Sequence, residues 1–454
     1  MVYDLIIIGG GPAGYLAAER AGHEGLHALL IEKRCIGGVC LNEGCVPSKA
    51  FLYSAKVLDH AKHGELYGVK TTGASIDHKA VVERKNKVVK TLVSGIKSHL
   101  KRNKVTIVNA AAEIKGRNNE GFEIEAGNDI FTGKRLLLAT GSAPIIPRIP
   151  GVQEGLGEGH VLTNREILDV PELPSSLVIV GGGAIGLEMA SYFNSAGSKV
   201  TVIEMLPHIA GQTDKEISGI LLKNYQDKGV DFRLHAQVTE IHKGGVTFEA
   251  HGQKMSVPAE KVLLSVGRMP VTHGLGLEKI GVEVERGRIV TDDRGKTNVA
   301  EVYAAGDVNG VSMLAHTAYR EAEVCINTML GKKDVMRYHA IPSVIYTNPE
   351  VACVGETEES ARQKGIEHEQ ARISMMYSGR YVTENEITDG ICKIVIDKKI
   401  RTIIGVHMIG NYSSEIICGA ALMIESQMRV HDIKELVFPH PSVSEIIREG
   451  VFQF

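Results

Sequence analysis

The stretch Asp4-Leu5-Ile6-Ile7-Ile8-Gly9-Gly10-Gly11-Pro12-Ala13-Gly14 decides the fold of this chain. Its first half is a short apolar run rich in β-branched residues, which is typical of a buried parallel strand. Its second half places Gly9, Gly11 and Gly14 in the spacing G-x-G-x-x-G, and helix-like sequence follows. Glycines at these positions permit a tight turn, a close approach to a pyrophosphate and helix–strand packing. The stretch therefore predicts a strand–turn–helix unit that binds a dinucleotide.

A carboxylate supports this interpretation. The next strand-like run ends at Glu32, which lies 18 residues beyond Gly14 and is suited to the ribose hydroxyls of a nucleotide. The glycine spacing alone is weak evidence, and a simple glycine-rich turn is the alternative. The strand before the glycines, the helix after them and the acid beyond them favour the nucleotide site.

The same pattern occurs a second time. The strand-like run 177–180 is followed by Gly181, Gly183 and Gly186, and the next such run ends at Glu204, again 18 residues beyond the third glycine. A carboxylate at Glu204 would bond the adenosine 2′-hydroxyl and repel a 2′-phosphate, which predicts NAD rather than NADP. The alternative is a solvated glutamate at the end of a strand.

Two cysteines follow the first fingerprint closely, in the segment Gly38-Val39-Cys40-Leu41-Asn42-Glu43-Gly44-Cys45-Val46-Pro47-Ser48-Lys49. In a regular helix, residues five positions apart are separated by about 8.7 Å between their Cα atoms, whereas a disulfide tolerates at most about 7 Å. If Cys40 and Cys45 bond, the backbone between them cannot be regular helix, and Pro47 would disturb its first turn. A strained disulfide is more often redox-active than structural; two buried free thiols are the alternative.

Bulk properties exclude several classes of function. The 454 residues carry a formal net charge of −3 without a strongly basic block, so nucleic acid is not an expected partner. No run of 18 apolar residues and no signal-peptide pattern is visible, which predicts no membrane span and a cytoplasmic location. The cysteines do not have zinc-site spacing, so no metal is expected.

These patterns predict an α/β fold with two Rossmann-like dinucleotide-binding domains and a C-terminal α+β dimerisation domain. The site beside the cysteines is the better candidate for FAD. We expect residues 1–142 and 266–335 to form the FAD-binding domain, which a long helical stretch from Val46 to about Lys101 interrupts. Residues 143–265 would form the NAD-binding domain and residues 336–454 the interface domain. Residues 139–144 and 265–270 are predicted to be crossings between domains.

Over essentially its whole length, the chain resembles the flavoprotein pyridine nucleotide-disulfide oxidoreductases. The resemblance rests on the cysteine segment, on both glycine motifs, and on residues 139–144, 303–308, 313–316, 346–355 and 440–445. It implies that Cys40 meets a dithiol substrate and that Cys45 lies beside the flavin as the charge-transfer thiol. It also implies that Lys49 approaches the flavin and pairs with Glu188, and that Asp307 holds the FAD ribityl chain. Further cofactor-binding positions are expected at Thr140, Gly141, Gly267 and Ala315.

The resemblance also assigns the C-terminal motif. His440 would be the catalytic base, oriented by Glu445 and contributed by the other subunit of a homodimer. A lone histidine is more often a surface or structural residue, and Glu445 could instead close a capping box with Ser442. The chain departs from the family at Val39, where threonine is usual, and at Phe438, where a second histidine is common.

The implied activity is the oxidation of protein-bound dihydrolipoyl groups by NAD⁺, through a redox-active disulfide and FAD. The partner would be a lipoyl-bearing protein of a 2-oxoacid dehydrogenase or glycine cleavage complex. The main alternative is a related reductase that acts on glutathione-like thiols or mercuric ion. A non-catalytic flavin-binding or metal-binding module is an alternative of a different class.

Overall fold

The computed structural model describes residues 1–385 and 389–454. Its helices are, in chain order, α1 (Pro12–His23), α2 (Gly38–Glu43), α3 (Cys45–Lys62), α4 (His78–Arg102), α5 (Val152–Glu158), α6 (Ala184–Ala196), α7 (Lys215–Asp227), α8 (Ala315–Met329), α9 (Glu358–Gln363), α10 (Gly379–Glu384), α11 (Ser413–Glu425), α12 (Val430–Lys434) and α13 (Glu445–Val451).

Its strands are, in chain order, β1 (Val2–Tyr3), β2 (Leu5–Ile8), β3 (Ala28–Glu32), β4 (Thr106–Asn109), β5 (Ala112–Arg117), β6 (Phe122–Ala126), β7 (Asp129–Gly133), β8 (Leu136–Leu138), β9 (Ser142–Pro144), β10 (Val161–Leu162), β11 (Ser176–Val180), β12 (Lys199–Ile203), β13 (Asp231–Arg233), β14 (Ala236–His242), β15 (Gly245–Ala250), β16 (Gln253–Pro258), β17 (Lys261–Leu264), β18 (Arg268–Pro270), β19 (Val284–Glu285), β20 (Arg288–Ile289), β21 (Val302–Ala304), β22 (Ser343–Ile345), β23 (Val351–Gly355), β24 (His368–Ser374), β25 (Ile391–Asp397) and β26 (Ile403–Ile409).

One compact unit comprises residues 1–50, 82–145 and 267–337. Its main sheet is parallel, with strand order β21-β8-β2-β3-β4. Leu5, Ile6 and Ile7 of the central strand β2 are completely buried, as expected for a strand that is covered on both faces. The continuous apolar run of the opening stretch therefore forms the centre of this sheet.

Two segments of this unit that are remote in sequence pair with each other. Residues 142–144 form strand β9 and residues 268–270 form strand β18, and the two strands are antiparallel neighbours. The sequence indicated a chain crossing at each segment. It did not indicate that the two crossings form one small sheet, because pairing between remote segments leaves no local pattern.

The other compact unit comprises residues 51–81, 146–266 and 338–454. It contains a second parallel sheet, with strand order β10-β17-β11-β12-β13. In both parallel sheets, the strand before the glycine motif is central. The next two strands lie beside it on one side, β3 and β4 in the first sheet and β12 and β13 in the second. An antiparallel three-stranded sheet, β14-β15-β16, follows in the chain. The predicted pair of Rossmann-like folds is confirmed.

The C-terminal part of the same unit is built differently. Strands β22-β23-β26-β25-β24 form an antiparallel sheet, and residues of α11 and α13 join its buried residues in one hydrophobic cluster. The prediction of a C-terminal α+β domain is therefore confirmed. The finer division of the chain into three domains stays a prediction.

The predicted helical stretch from Val46 to Lys101 is wrong in its continuity. Helix α3 ends at Lys62 and α4 begins at His78. Within α4, Leu92 is 43% exposed, while Val93 and Ile96 pack against the core of their unit. Among the described helices, none combines the length and hydrophobicity that a bilayer crossing requires.

The glycine turn of the second parallel sheet leads to a stability prediction. A Cβ atom on Gly186 would lie 2.3 Å from the carbonyl oxygen of Gly181. Because that neighbour is a backbone atom, Gly186→Ala should lower the free energy of unfolding by about 1–3 kcal/mol, the usual cost of overpacking. The melting temperature should therefore fall by several degrees. Gly219→Ala in α7 is the matched control. Its Cβ would meet open space, and alanine in a helix favours folding by about 0.5–1 kcal/mol. Equal melting temperatures for the two variants would contradict this account.

Candidate redox and nucleotide site

The first glycine motif forms a turn that accepts only glycine at two of its positions. Gly9 has a φ of +108°, and a Cβ there would lie 2.2 Å from the carbonyl oxygen of Ala139. A Cβ on Gly14 would lie 1.7 Å from the carbonyl oxygen of Gly9. Helix α1 begins directly after Gly11, so its first amides face the turn. The free amides at a helix N-terminus, next to a turn without side chains, can bind a pyrophosphate.

The second glycine motif repeats this geometry. A Cβ on Gly181 would lie 2.5 Å from the carbonyl oxygen of Ser265, and Gly186 is equally crowded by the backbone of Gly181. At Gly183 a Cβ would meet no described atom within 4 Å. The middle glycine therefore leaves the backbone open at the place where a pyrophosphate would approach. The residues of both motifs fit dinucleotides.

The two predicted ribose-binding acids have the same environment. The amide of Gly10 donates to one carboxylate oxygen of Glu32 at 2.7 Å, and the amide of Gly182 donates to one oxygen of Glu204 at 2.6 Å. In each case the other carboxylate oxygen accepts the amide of the residue two positions after the glutamate. A carboxylate has about four acceptor positions, so each acid can still bond a ribose hydroxyl.

The cysteine segment is bent at one residue. Helix α2 ends at Glu43 and α3 begins at Cys45, while Gly44 between them has φ −149° and ψ −110°. The prediction that the backbone between Cys40 and Cys45 is not regular helix is confirmed. Pro47 lies in the first turn of α3, where a missing amide hydrogen costs no helical hydrogen bond.

The two sulfurs are present as a hydrogen-bonded pair of thiols. The bond to Cys45 raises the pKa of the Cys40 thiol far above its ordinary value, and burial and the charge of Cys45 raise it further, while Lys49 opposes the change. The disulfide form of the pair stays a prediction.

Asp307 belongs to a network that the sequence did not reveal. The hydroxyl of Ser142 donates to a carboxylate oxygen of Asp307 at 2.5 Å, and Nε of Arg268 donates to the same hydroxyl at 2.8 Å. Arg268 also donates through Nη2 to the carbonyl oxygen of Ser142 at 2.8 Å. Both residues lie within motifs already noted, next to Gly141 and Gly267. Only the pairing of β9 with β18 brings them to Asp307.

The remaining predicted residues of this unit have definite positions. Thr140 donates its hydroxyl to the carbonyl oxygen of Val271 at 2.6 Å. Gly141 and Gly267 have φ values of +70° and +116°, as glycines at the two crossings should. Ala315 is the first residue of α8. Their roles toward a cofactor stay predictions.

In the other unit, Glu188 is buried in the second turn of α6 and accepts the amide of Tyr346 at 3.1 Å. Its side chain is therefore not solvated. The pairing of Glu188 with Lys49 stays a prediction.

His440 and Glu445 form a geometric pair. Nδ1 of His440 lies 2.9 Å from Oε1 of Glu445, while Oε2 accepts the amide of Ser442 at 2.9 Å. These bonds lower the pKa of the Glu445 carboxyl, the amide of Ser442 contributing most. The imidazole is 77% exposed. The Ser442 capping box is only half formed, because its hydroxyl donates to the carbonyl oxygen of Pro439 and the helix N-cap is Ser444.

Comparison with known proteins agrees with this geometry. Residues 3–322 match the family model "Pyridine nucleotide-disulphide oxidoreductase", and residues 341–451 match the dimerisation domain of the same family. The chain belongs to the pyridine nucleotide-disulphide oxidoreductase family. Members of this family use FAD and NAD(H). The two glycine motifs, each with its carboxylate, are the residues of this chain that fit them.

Named relatives cover nearly the whole chain. Dihydrolipoyl dehydrogenase of Mycoplasma pneumoniae is 37% identical, over 99% of this chain and 98% of its own. Leghemoglobin reductase of Glycine max is 36% identical, over 98% of this chain and 86% of its own. Among solved structures, the HOCl-induced flavoprotein disulfide reductase RclA of Escherichia coli is similar, with a TM-score of 0.87 and 26% identity over 99% of both chains.

The role of the thiol pair leads to a spectroscopic prediction. Cys45→Ser should abolish the long-wavelength thiolate–flavin band of the reduced holoenzyme, because the family resemblance makes Cys45 the charge-transfer thiol beside the flavin. Cys40→Ser should retain a band, and Cys35→Ser, which removes an exposed thiol five residues before Cys40, should leave it unchanged. Absorbance spectra after anaerobic reduction by NADH measure all three. A band that persists in Cys45→Ser would refute the assignment.

Proposed function

We propose that this chain is a dihydrolipoyl dehydrogenase, which oxidises protein-bound dihydrolipoyl groups with NAD⁺. The observation that carries the proposal is the thiol pair Cys40–Cys45 in the unit of the first glycine motif. Relatives that match almost the full chain at 34–38% identity bear this name. Glu204, held against the second glycine motif, favours NAD over NADP because its charge repels a 2′-phosphate.

The proposed half-reaction begins from the Cys40–Cys45 disulfide. His440, held by Glu445 through Nδ1, has Nε2 available to accept the proton of a dihydrolipoyl thiol. The resulting thiolate attacks the sulfur of Cys40, and the bond between the two cysteines breaks to leave Cys45 as the thiolate. The second substrate thiol then loses its proton, and its sulfur attacks the first substrate sulfur. This step forms the lipoyl disulfide and releases Cys40, which takes up that proton, while His440 keeps the first one. The lipoyl group loses two electrons and the cysteine pair gains them.

When bound, FAD and NAD supply the two-electron acceptor chemistry that restores the protein disulfide. The candidate residues for FAD are those of the first glycine motif, Glu32, Lys49 and Asp307. The candidate residues for NAD are those of the second motif with Glu188 and Glu204. The family resemblance makes Cys45 the flavin-side sulfur and Cys40 the sulfur that meets the substrate.

The partner proposals follow from the same chemistry. A dihydrolipoyl group is carried by a protein, so a lipoyl-bearing component of a 2-oxoacid dehydrogenase or glycine cleavage complex is the proposed partner. The C-terminal residues match a dimerisation domain, which supports a homodimer. We propose that His440 completes the site of the opposite subunit. A cytoplasmic location stays a prediction.

A substrate comparison tests the activity. The FAD-loaded homodimer should oxidise dihydrolipoamide with NAD⁺ at least about tenfold more efficiently than with NADP⁺, a difference of about 1.4 kcal/mol. Glutathione disulfide reduction and mercuric-ion reduction, measured on the same preparation, should be much slower. Glu204→Ala should reduce the preference for NAD⁺. Faster turnover of glutathione disulfide or mercuric ion than of lipoamide would replace the proposed substrate.

Subunit complementation tests the shared site. Cys40→Ser and His440→Gln homodimers should each be nearly inactive. Refolding or coexpressing equal amounts of both should restore about one quarter of the unsubstituted activity, because half of the dimers are mixed and each has one intact site of two. The control is a mixture of Cys40→Ser and Cys45→Ser, which alter the same half-site and should not complement. A Cys40→Ser and His440→Gln mixture that is no more active than either parent homodimer would contradict the shared site.

A further inference from the structure

A buried serine outside the described motifs bonds the loop that carries His440. Ser378 is completely buried and is the N-cap of α10. Its hydroxyl accepts the amide of Tyr381 at 3.2 Å and donates to the carbonyl oxygen of Ser442 at 3.0 Å. Ser378 and Ser442 are 64 positions apart in the sequence, so the fold alone creates this bond.

Ser442 is the residue that holds the acid of the acid–imidazole pair. Its amide donates to Oε2 of Glu445 at 2.9 Å, and Oε1 of the same carboxylate lies 2.9 Å from Nδ1 of His440. Ser378 therefore bonds the carbonyl of the residue whose amide bonds Glu445. The contacts form one series from a buried hydroxyl to the exposed imidazole.

Both sides of the Ser378–Ser442 bond are packed. Tyr381, three residues after Ser378, and Val443, directly after Ser442, belong to one buried hydrophobic cluster. Val443 is 5% exposed, whereas the imidazole of His440 is 77% exposed. Because an exposed ring has little packing of its own, the position of the imidazole depends on the hydrogen bonds of the loop behind it.

The Ser378 hydroxyl does more than cap a helix. An N-cap side chain has only to accept a helix amide, and the bond from Tyr381 meets that need. A hydroxyl also carries one proton to donate, and here that proton is directed to the loop. Removing the hydroxyl would take this partner from the carbonyl of Ser442, so the loop would lose one of the bonds that fix it.

We propose that Ser378 is a positioning residue for His440. Its hydroxyl fixes the carbonyl of Ser442, and Ser442 in turn fixes the carboxylate of Glu445 that orients the imidazole. This role rests on the proposed function, in which Nε2 of His440 accepts the proton of a substrate thiol. Proton transfer requires hydrogen-bond contact between the base and the thiol, so the reaction is sensitive to small displacements of the loop.

The test compares two reactions of the FAD-loaded homodimer. Ser378→Ala should lower kcat for dihydrolipoamide oxidation by about tenfold or more with little change in KM, because a misplacement of about 1 Å can cost about 10²-fold. Oxidation of NADH by ferricyanide should be unchanged, because this acceptor takes electrons from the flavin without a proton transfer by His440. A structural defect would lower both rates.

Ser413→Ala is the matched control. It removes another completely buried serine hydroxyl, which also donates to a backbone carbonyl, that of Gly410 at 2.8 Å. Both rates should be unchanged in this variant. If Ser378→Ala does not fold or retain FAD, Ser378→Gly takes its place, because glycine also lacks the hydroxyl and is tolerated at an N-cap.

A double substitution tests the path through the acid. If Ser378 acts through Glu445, the loss caused by Ser378→Ala should nearly disappear in a Glu445→Gln background, because the effects of coupled residues are not additive. Losses that multiply in the double variant would overturn the proposal. So would a Ser378→Ala enzyme as active as Ser413→Ala, or a parallel fall of its ferricyanide rate.

The proposed substrate is tested separately. If the unsubstituted homodimer does not oxidise dihydrolipoamide, that substrate is refuted, and the same variants are compared in glutathione disulfide reduction. In that reaction His440 would give its proton to the leaving thiolate, so the same selective loss of kcat in Ser378→Ala supports the positioning role. Turnover of neither substrate would overturn both proposals.

Discussion

The rest of the structure depends on a backbone contact that only glycine permits. Helix α1 crosses the end of strand β2 so closely that a single added carbon on Gly14 would lie 1.7 Å from the carbonyl oxygen of Gly9. The same contact recurs between Gly186 and Gly181 at 2.3 Å. Because the helix starts against the strand end, its free amides face the turn, and the acid of the neighbouring strand accepts an amide from that turn.

This contact also governs the position of the thiols. The start of α2 lies against the start of α1 at Gly38 and Gly11, so Cys40 is tied to the nucleotide turn by backbone contact. The bend at Gly44 separates α2 from α3 and allows the two sulfurs to approach each other. A continuous helix would hold their Cα atoms about 8.7 Å apart. The thiol pair is thus a consequence of where α2 ends.

Local sequence predicted the elements that have a local cause. The apolar run before Gly9, the spacing of the glycines and the acid 18 residues on are readable because strand burial, turn geometry and helix starts depend on neighbouring residues. Continuity of the helical stretch after Val46 was predicted incorrectly. The charged positions and the repeated apolar residues of this stretch did not reveal that α3 ends at Lys62. The capping box that the sequence suggested at Ser442 is also only half formed, because the Ser442 hydroxyl donates to the carbonyl oxygen of Pro439, which precedes the helix.

The sequence by itself determined the two nucleotide-binding folds, the thiol pair and the acid–imidazole pair His440–Glu445, because each is encoded within a short segment. Only the tertiary structure decided which distant side chains surround them. Ser142 and Arg268 reach Asp307 because β9 pairs with β18. Ser378 bonds the carbonyl oxygen of Ser442 because residues next to both pack into one hydrophobic cluster. Contacts of this kind depend on packing between remote elements, and such packing has no periodicity or spacing in the chain from which it could be predicted.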